Sequence, residues 1–261
     1  MNFKKFYMGN FIAIPDYLTL LNLIFGFLAI LMAFKLNFEL SALFVIIAII
    51  FDSVDGWVAR KIGRTGESDF GKNIDSLADA ISFGLVPGVL LYILSLQIAS
   101  EFNIQFLGIY VVEIIGLVVG IFIVVCGILR LTRFNVITDK IDFNGFVGLP
   151  IPLHALLFSS FVLAGLLNFN VNSTFNNLTL ILWSFLLVLN IFTGILMIST
   201  IKYPKLNNFK IIIPLAILIF LLIISFASGG FLIYNINIPG ILLFIFSFIL
   251  IFICPLIQKN Q

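Results

Sequence analysis

Stretches of apolar sequence long enough to cross a bilayer follow one another through almost the whole chain. Nothing else constrains the fold as much. Hydrophobic residues fill 62% of the 261 positions and charged residues 10%, and mean hydropathy is +1.23. A water-soluble domain has no use for so much apolar surface, so the chain reads as an all-α, polytopic integral membrane helical bundle. The pattern predicts about eight transmembrane helices, near 17–35, 40–60, 76–98, 106–131, 148–167, 179–200, 211–227 and 239–257, each close to the length that spans ~30 Å of hydrocarbon. Pro214 and Pro239 are expected at helix starts, where proline is tolerated. The net charge of +2 is too small to suggest a nucleic-acid partner, and none is expected. Cys126 and Cys254 both lie in apolar runs, which argues against a disulfide framework. Lys4 and Lys5 precede no cleavable apolar core, so the first dozen residues are expected to lie at the interface.

The basic residues set an orientation. With the N-terminus cytoplasmic, Lys4, Lys5, Arg60, Lys61, Arg64, Lys72, Arg130, Arg133, Lys140, Lys202, Lys205, Lys210 and Lys259 fall on the inner side, and only Lys35 falls outside. The protein is thus expected in the cell membrane, multi-pass, with any site near Arg60 opening to the cytoplasm.

Acidic residues occur where this pattern should exclude them. The chain reads Asp52-x-x-Asp55-Gly56-x-x-Ala59-Arg60 and then Gly71-x-x-x-Asp75-x-x-x-Asp79. Asp52 lies nine residues before Lys61, so ~13 Å into the membrane at 1.5 Å per residue. Asp52 and Asp55 are three apart and Asp75 and Asp79 four apart, so each pair shares a helix face. Two antiparallel neighbours can bring the faces together. One carboxylate in a membrane segment costs about 2.5–3.5 kcal/mol on insertion scales, so four must be neutralised. Arg60 offsets one charge, and two divalent cations would offset the rest. Oxygen-only donors favour Mg²⁺ or Mn²⁺, with Ca²⁺ also admissible. Gly56, Ala59 and Gly71 are small where a bulky ligand must approach the backbone. Pairing with Arg60, Lys61 and Lys72 would account for acids at the interface but not for Asp52 at depth.

This pattern resembles the motif of the CDP-alcohol phosphatidyltransferase family, integral membrane enzymes of phospholipid synthesis. Every fixed position of that motif is present. The spacer from Arg60 to Gly71 has ten residues where the family has eight or nine, and the excess falls within 63–68. The resemblance implies that Asp52, Asp55 and Asp75 ligate two metal ions, with Asp79 completing the site and acting as general base. It implies that Asp55, Gly56, Ala59, Arg60 and Gly71 hold the CDP moiety. A polar residue of the first helix faces the nucleotide in the family. Here Pro15-x-x-x-Thr19-x-x-Asn22 puts Thr19 and Asn22 on one face, and Asn22 is the candidate. The reaction implied is attack of an alcohol on the lipid-bearing phosphorus of a CDP-lipid, with CMP leaving.

Three further stretches bear on the alcohol: Ser82-Phe83-Gly84-x-x-Pro87, Arg130-x-x-Arg133-Phe134-Asn135, and Gly148-Leu149-Pro150-x-Pro152. Together they resemble the phosphatidylserine and archaetidylserine synthase branch, over about residues 15–160. Arg130 and Arg133 lie one turn apart and can present two guanidinium groups to a carboxylate or phosphate. Ser82, Arg130, Arg133 and Asn135 are therefore candidate residues for the acceptor or the lipid phosphate. The implied partners are CDP-diacylglycerol or CDP-archaeol, L-serine, membrane lipids and a second copy in a homodimer. Glycerol phosphate or inositol phosphate is the alternative acceptor. A cation transporter is the alternative of another class, but spans 2 and 3 become wholly apolar toward the outer face. Residues 1–205 are expected to form the catalytic domain and 206–261 an additional helical pair. Glu113 and His154 fall inside apolar spans away from the motif and serve either a functional or an interhelical structural role.

Overall fold

The computed structural model describes residues 11–62, 68–102, 105–106, 109–138, 145–165, 176–203, 209–228, 232–233, 236–253 and 255. Helix α1 (Ile14–Phe34) starts with Pro15 in its first turn, and the Asp16 carboxylate accepts the Ala13 N–H at 2.8 Å. A tight turn with Leu36 at φ 58° leads into α2 (Phe38–Ile62), where the Asn37 Oδ1 accepts the Leu40 N–H at 3.1 Å. The two helices pack as an antiparallel hairpin over small residues. Ala29, Ala33, Ala42 and Ala48 are fully buried there, and the Ser41 hydroxyl donates to the Ala29 carbonyl at 2.8 Å.

Helix α3 (Ser68–Asp79) runs without a break through a π-helical turn (Ala80–Leu85) into α4 (Val86–Phe102). The widened turn directly follows Asp79 and re-aims the acidic helix relative to α4, a common placement for π-turns at functional sites. Then come α5 (Val111–Thr138), α6 (Ile151–Leu163), α7 (Asn176–Ile198), α8 (Phe209–Ser228) and α9 (Ile238–Phe252). Three two-residue antiparallel pairs connect helices: β1 (Gln105–Phe106) with β2 (Ile109–Tyr110), β3 (Phe146–Val147) with β4 (Lys202–Tyr203), and β5 (Leu232–Ile233) with β6 (Ile236–Asn237).

The bundle is all-α and multi-pass, but the expectation of eight transmembrane helices is corrected. Five helices among the described residues are long and apolar enough to cross: Ile14–Phe34, Phe38–Lys61, Phe70–Ser100, Val111–Ile137 and Leu178–Ile198. The apolar segments expected at 148–167, 211–227 and 239–257 form shorter helices, Ile151–Leu163, Ile212–Ala227 and Ile238–Phe252. At ~1.5 Å per residue, the 13 residues of α6 reach only ~20 Å. Hydropathy cannot see where a helix stops. Gly148 at φ 79° and Pro150 hold the chain out of helix before α6, and Gly165 at φ 68° ends it. Pro239 does lie in the first turn of α9, whereas Pro214 lies inside α8.

Helices α4 and α5 meet backbone to backbone at Gly88 and Gly120. A Cβ on Gly120 would stand 2.7 Å from the Gly88 carbonyl oxygen, and one on Gly88 would stand 2.8 Å from that of Gly120. Gly120→Val is therefore expected to force the helices apart and destabilise the bundle by about 1–3 kcal/mol. The check is the thermal midpoint of purified protein in detergent, and an unchanged midpoint would refute this contact.

Candidate active site

The acidic motif lies where α1, α2 and α3 meet. Asp52 and Asp55 on α2 and Asp75 on α3 each place one carboxylate oxygen within 4.8 Å of the others. They form a candidate metal-binding cluster, and its donors are oxygen only, which suits hard divalent cations. Carboxylates this close repel strongly unless a cation stands between them, so the donor set fits a bound metal. Asp79, one turn beyond Asp75, is buried and within hydrogen-bonding reach of Asp52.

Helix α1 supplies the neutral polar partners. The Thr19 hydroxyl donates to Asp55 Oδ2 at 2.7 Å, and the Asn22 Nδ2 donates to Asp79 Oδ1 at 3.2 Å. Asn22 is fully buried, and among the described residues its Oδ1 has no partner. Ser82, in the π-turn, donates to the Asn22 carbonyl at 3.0 Å. This contact requires Gly26, because a Cβ there would collide with the Ser82 side chain. Thus α1 is locked onto the acidic helix by its own backbone and reaches both acid pairs. Thr19 shares a face with Asn22 in the sequence, and that spacing was the one signal that could have assigned it to Asp55.

On the remaining motif, Gly56 leaves its helix surface open under Arg60, whose Nη1 would lie 3.4 Å from an added Cβ. Arg60 itself is exposed, Ala59 half-buried, and Gly71 buried within α3. The lengthened spacer falls mostly on 63–67, outside the described residues.

The two arginines of α5 diverge. Arg130 is 4% exposed, and its guanidinium carbon lies 5.1 Å from the Phe134 ring and 5.4 Å from the Phe146 ring. It faces Asp79 and Asp52 electrostatically, and among the described residues its Nε has no hydrogen-bond partner. Arg133 instead donates to three carbonyls at 2.8 Å each, those of Ile198, Val147 and Met197. It ties the end of α7 to the β3 segment that carries Phe146. Gly148, at positive φ, fits against this clamp, since a Cβ would collide with the Arg133 guanidinium and the Met197 carbonyl. Asn135 donates to the Ser76 hydroxyl at 2.9 Å, and its carbonyl accepts from Lys72 at 3.0 Å, which joins α3 to α5.

Two other polar residues in apolar helices make interhelical bonds. Tyr92 donates to Glu113 at 3.0 Å, and His154 Nδ1 lies 3.0 Å from the Thr193 hydroxyl.

Similarity to known proteins agrees with this geometry. The family model described as CDP-alcohol phosphatidyltransferase matches residues 12–201. The chain is 40% identical over 208 residues to an archaetidylserine synthase of Methanothermobacter thermautotrophicus, covering 80% of this chain and 76% of that one. It is 40% identical over 204 residues to a CDP-diacylglycerol–serine O-phosphatidyltransferase of Methanocaldococcus jannaschii, covering 78% and 79%. It is 32% identical over 232 residues to a protein of the same name from Helicobacter pylori, covering 85% and 89%. The match runs from α1 to the end of α7 and includes every helix that contributes an acid, so the chain belongs to the CDP-alcohol phosphatidyltransferase family.

Proposed function

We propose that this enzyme transfers the lipid phosphoryl group of a CDP-activated lipid to the side-chain hydroxyl of L-serine and releases CMP. The observation that carries the reading is the three-carboxylate cluster with Asp79 beside it, in a chain 40% identical to an archaetidylserine synthase. Membership of a transferase family favours this over cation transport.

In this reading Asp52, Asp55 and Asp75 hold two divalent cations, Mg²⁺ or Mn²⁺, with Asp79 completing the site. When bound, such ions offset the charge of the pyrophosphate and of the departing phosphate. Asp55, Gly56, Ala59, Arg60, Gly71 and Asn22 line the place of the CDP moiety. Asp79 accepts the proton of the serine hydroxyl as its oxygen bonds to the lipid-bearing phosphorus. The bond from that phosphorus to the bridging oxygen breaks, and CMP leaves with the electron pair. Asn22 holds the Asp79 carboxylate through its 3.2 Å hydrogen bond, so the base is pre-oriented. Arg130, flanked by two aromatic rings, serves the serine carboxylate, while Arg133 and Asn135 hold the frame around it and Ser82 fixes α1. The catalytic domain extends to about residue 205, its site opens to the cytoplasm as the basic residues indicate, and the expected homodimer rests on the family resemblance alone.

Arg130→Lys is expected to raise the KM for serine by about 10–100-fold, the scale of one lost charge-assisted hydrogen bond. The KM for CDP-lipid should stay within about threefold. An unchanged serine dependence would remove Arg130 from the acceptor site.

The reaction itself is tested by CMP release from purified protein with Mg²⁺ or Mn²⁺, on CDP-diacylglycerol and on CDP-archaeol. Serine, glycerol 3-phosphate and inositol 1-phosphate are the acceptors compared. Serine-dependent release supports the reading and identifies the lipid. Release only with a phosphorylated alcohol would overturn the acceptor.

A further inference from the structure

A cavity of about 320 Å³ opens beside Asp52. Its polar lining comes from α2 alone, as Asp52, Ser53 and Arg60. The facing lining is apolar, with Phe146 from β3, Pro150 and Pro152 at the start of α6, Leu153 and Leu156 from α6 and Leu215 from α8. Leu215 lies beyond residue 201, where the family match ends. Helix α8 is tied to the catalytic bundle through α9, which packs on both α8 and α6. The junction with α6 is close. A Cβ on Gly240 would stand 2.8 Å from the backbone of Leu163 and Ala164, the Asn237 N–H donates to the Ala164 carbonyl at 3.1 Å, and Phe244 meets Phe161 edge-on at 5.3 Å.

The cavity is near the lower limit of the ~300–1,000 Å³ typical of small-molecule sites, too small for a whole CDP-lipid. The side formed by Phe146, Pro150, Pro152, Leu153, Leu156 and Leu215 offers no side-chain donor or acceptor, so a ribose, a base or a serine headgroup turned toward it would be left unsatisfied. A hydrocarbon chain needs none. The polar wall continues into the acid cluster through Asp52, so a chain in this cavity would be joined to a phosphate at that cluster.

The geometry points to a lipid-chain subsite in which Leu215 of the C-terminal helix α8 forms the outer wall against one hydrocarbon chain of the CDP-lipid, near its glycerol end. Leu215 is thereby a specificity-determining residue, although it lies outside the matched family region. The inference rests on the reading of the enzyme as one that uses a CDP-lipid.

The test uses the whole protein in vesicles of unlabelled phospholipid, with a CDP-lipid that carries a photoactivatable diazirine in one chain near its glycerol end. Cross-linked peptides are mapped by mass spectrometry. Labelling of α8 around Leu215, abolished by excess unmodified CDP-lipid, is expected. Labelling only elsewhere would overturn the subsite. Labelling of α8 that excess CDP-lipid does not compete away would assign the cavity to bulk membrane lipid and overturn it equally. This readout needs no turnover, so it separates a failed subsite from a failed enzymatic reading. In the activity assay, Leu215→Trp should raise the KM for long-chain CDP-lipid by at least about tenfold, the scale of one or two badly accommodated methylenes. The KM for serine should not move. An unchanged KM for long-chain CDP-lipid in an active Leu215→Trp enzyme would also refute the proposal.

Discussion

Asp79→Asn should lower lipid phosphoryl transfer by at least about 10²–10⁴-fold, the usual contribution of a positioned general base. The substitution keeps the size of the side chain and its contact with Asn22 but removes the proton acceptor. Asp79 stands outside the three-oxygen cluster of Asp52, Asp55 and Asp75, so that cluster remains whole. Metal-dependent binding of CDP-lipid is accordingly expected to survive in part. The two quantities are read separately, transfer as CMP released with serine and binding as the rise in thermal midpoint when metal and CDP-lipid are added together. Loss of transfer with binding retained is the predicted pattern. Loss of both would make Asp79 chiefly a ligand, and retained transfer would remove it from the chemistry.

Asp55→Asn should show the opposite pattern, with both functions lost. Asp55 contributes an oxygen to the cluster and is buried against α1, with the Thr19 hydroxyl at 2.7 Å. Removing its charge weakens cation binding directly. The loss of metal affinity should exceed the ~10–100-fold typical of changes that only disturb a ligand's orientation. Thr19→Val provides that comparison within this site. It leaves the Asp55 charge in place and removes only the hydrogen bond, so its effect on metal affinity should fall within that ~10–100-fold range. The check is the concentration of Mn²⁺ needed to raise the thermal midpoint of each variant. An Asp55→Asn protein stabilised by Mn²⁺ as well as the parent would contradict the assignment of the cluster as a metal site.

The acid cluster was legible in the sequence because helical spacing alone puts Asp52 with Asp55 and Asp75 with Asp79. Membrane burial then makes unpaired acids intolerable. Asn22 was legible for the same reason, since it shares a face with Thr19 and lies in an apolar helix. The separation of Arg130 from Arg133 was not legible. Their spacing suggests a pair, but the three carbonyls that engage Arg133 come from residues 14, 64 and 65 positions away. Nor could hydropathy give the number of crossing helices. It averages through the turns at Gly148 and Gly165, where backbone conformation ends the helix although the residues stay apolar. The π-turn after Asp79 left no readable mark either, because Ala80–Leu85 has the composition of any buried helix. Leu215 is one leucine among many in an apolar helix, and its place beside Asp52 depends on tertiary packing, including that of α9 on both α8 and α6.

The central claim is that the serine hydroxyl attacks the lipid-bearing phosphorus. The most direct measurement supplies the purified protein with CDP-lipid, metal and L-serine labelled with ¹⁸O in the side-chain hydroxyl, and follows the label by mass spectrometry. The account predicts ¹⁸O in the phosphodiester of a serine-containing lipid and unlabelled CMP. Label in a CMP–serine ester, or CMP release with no serine-containing lipid, would contradict it.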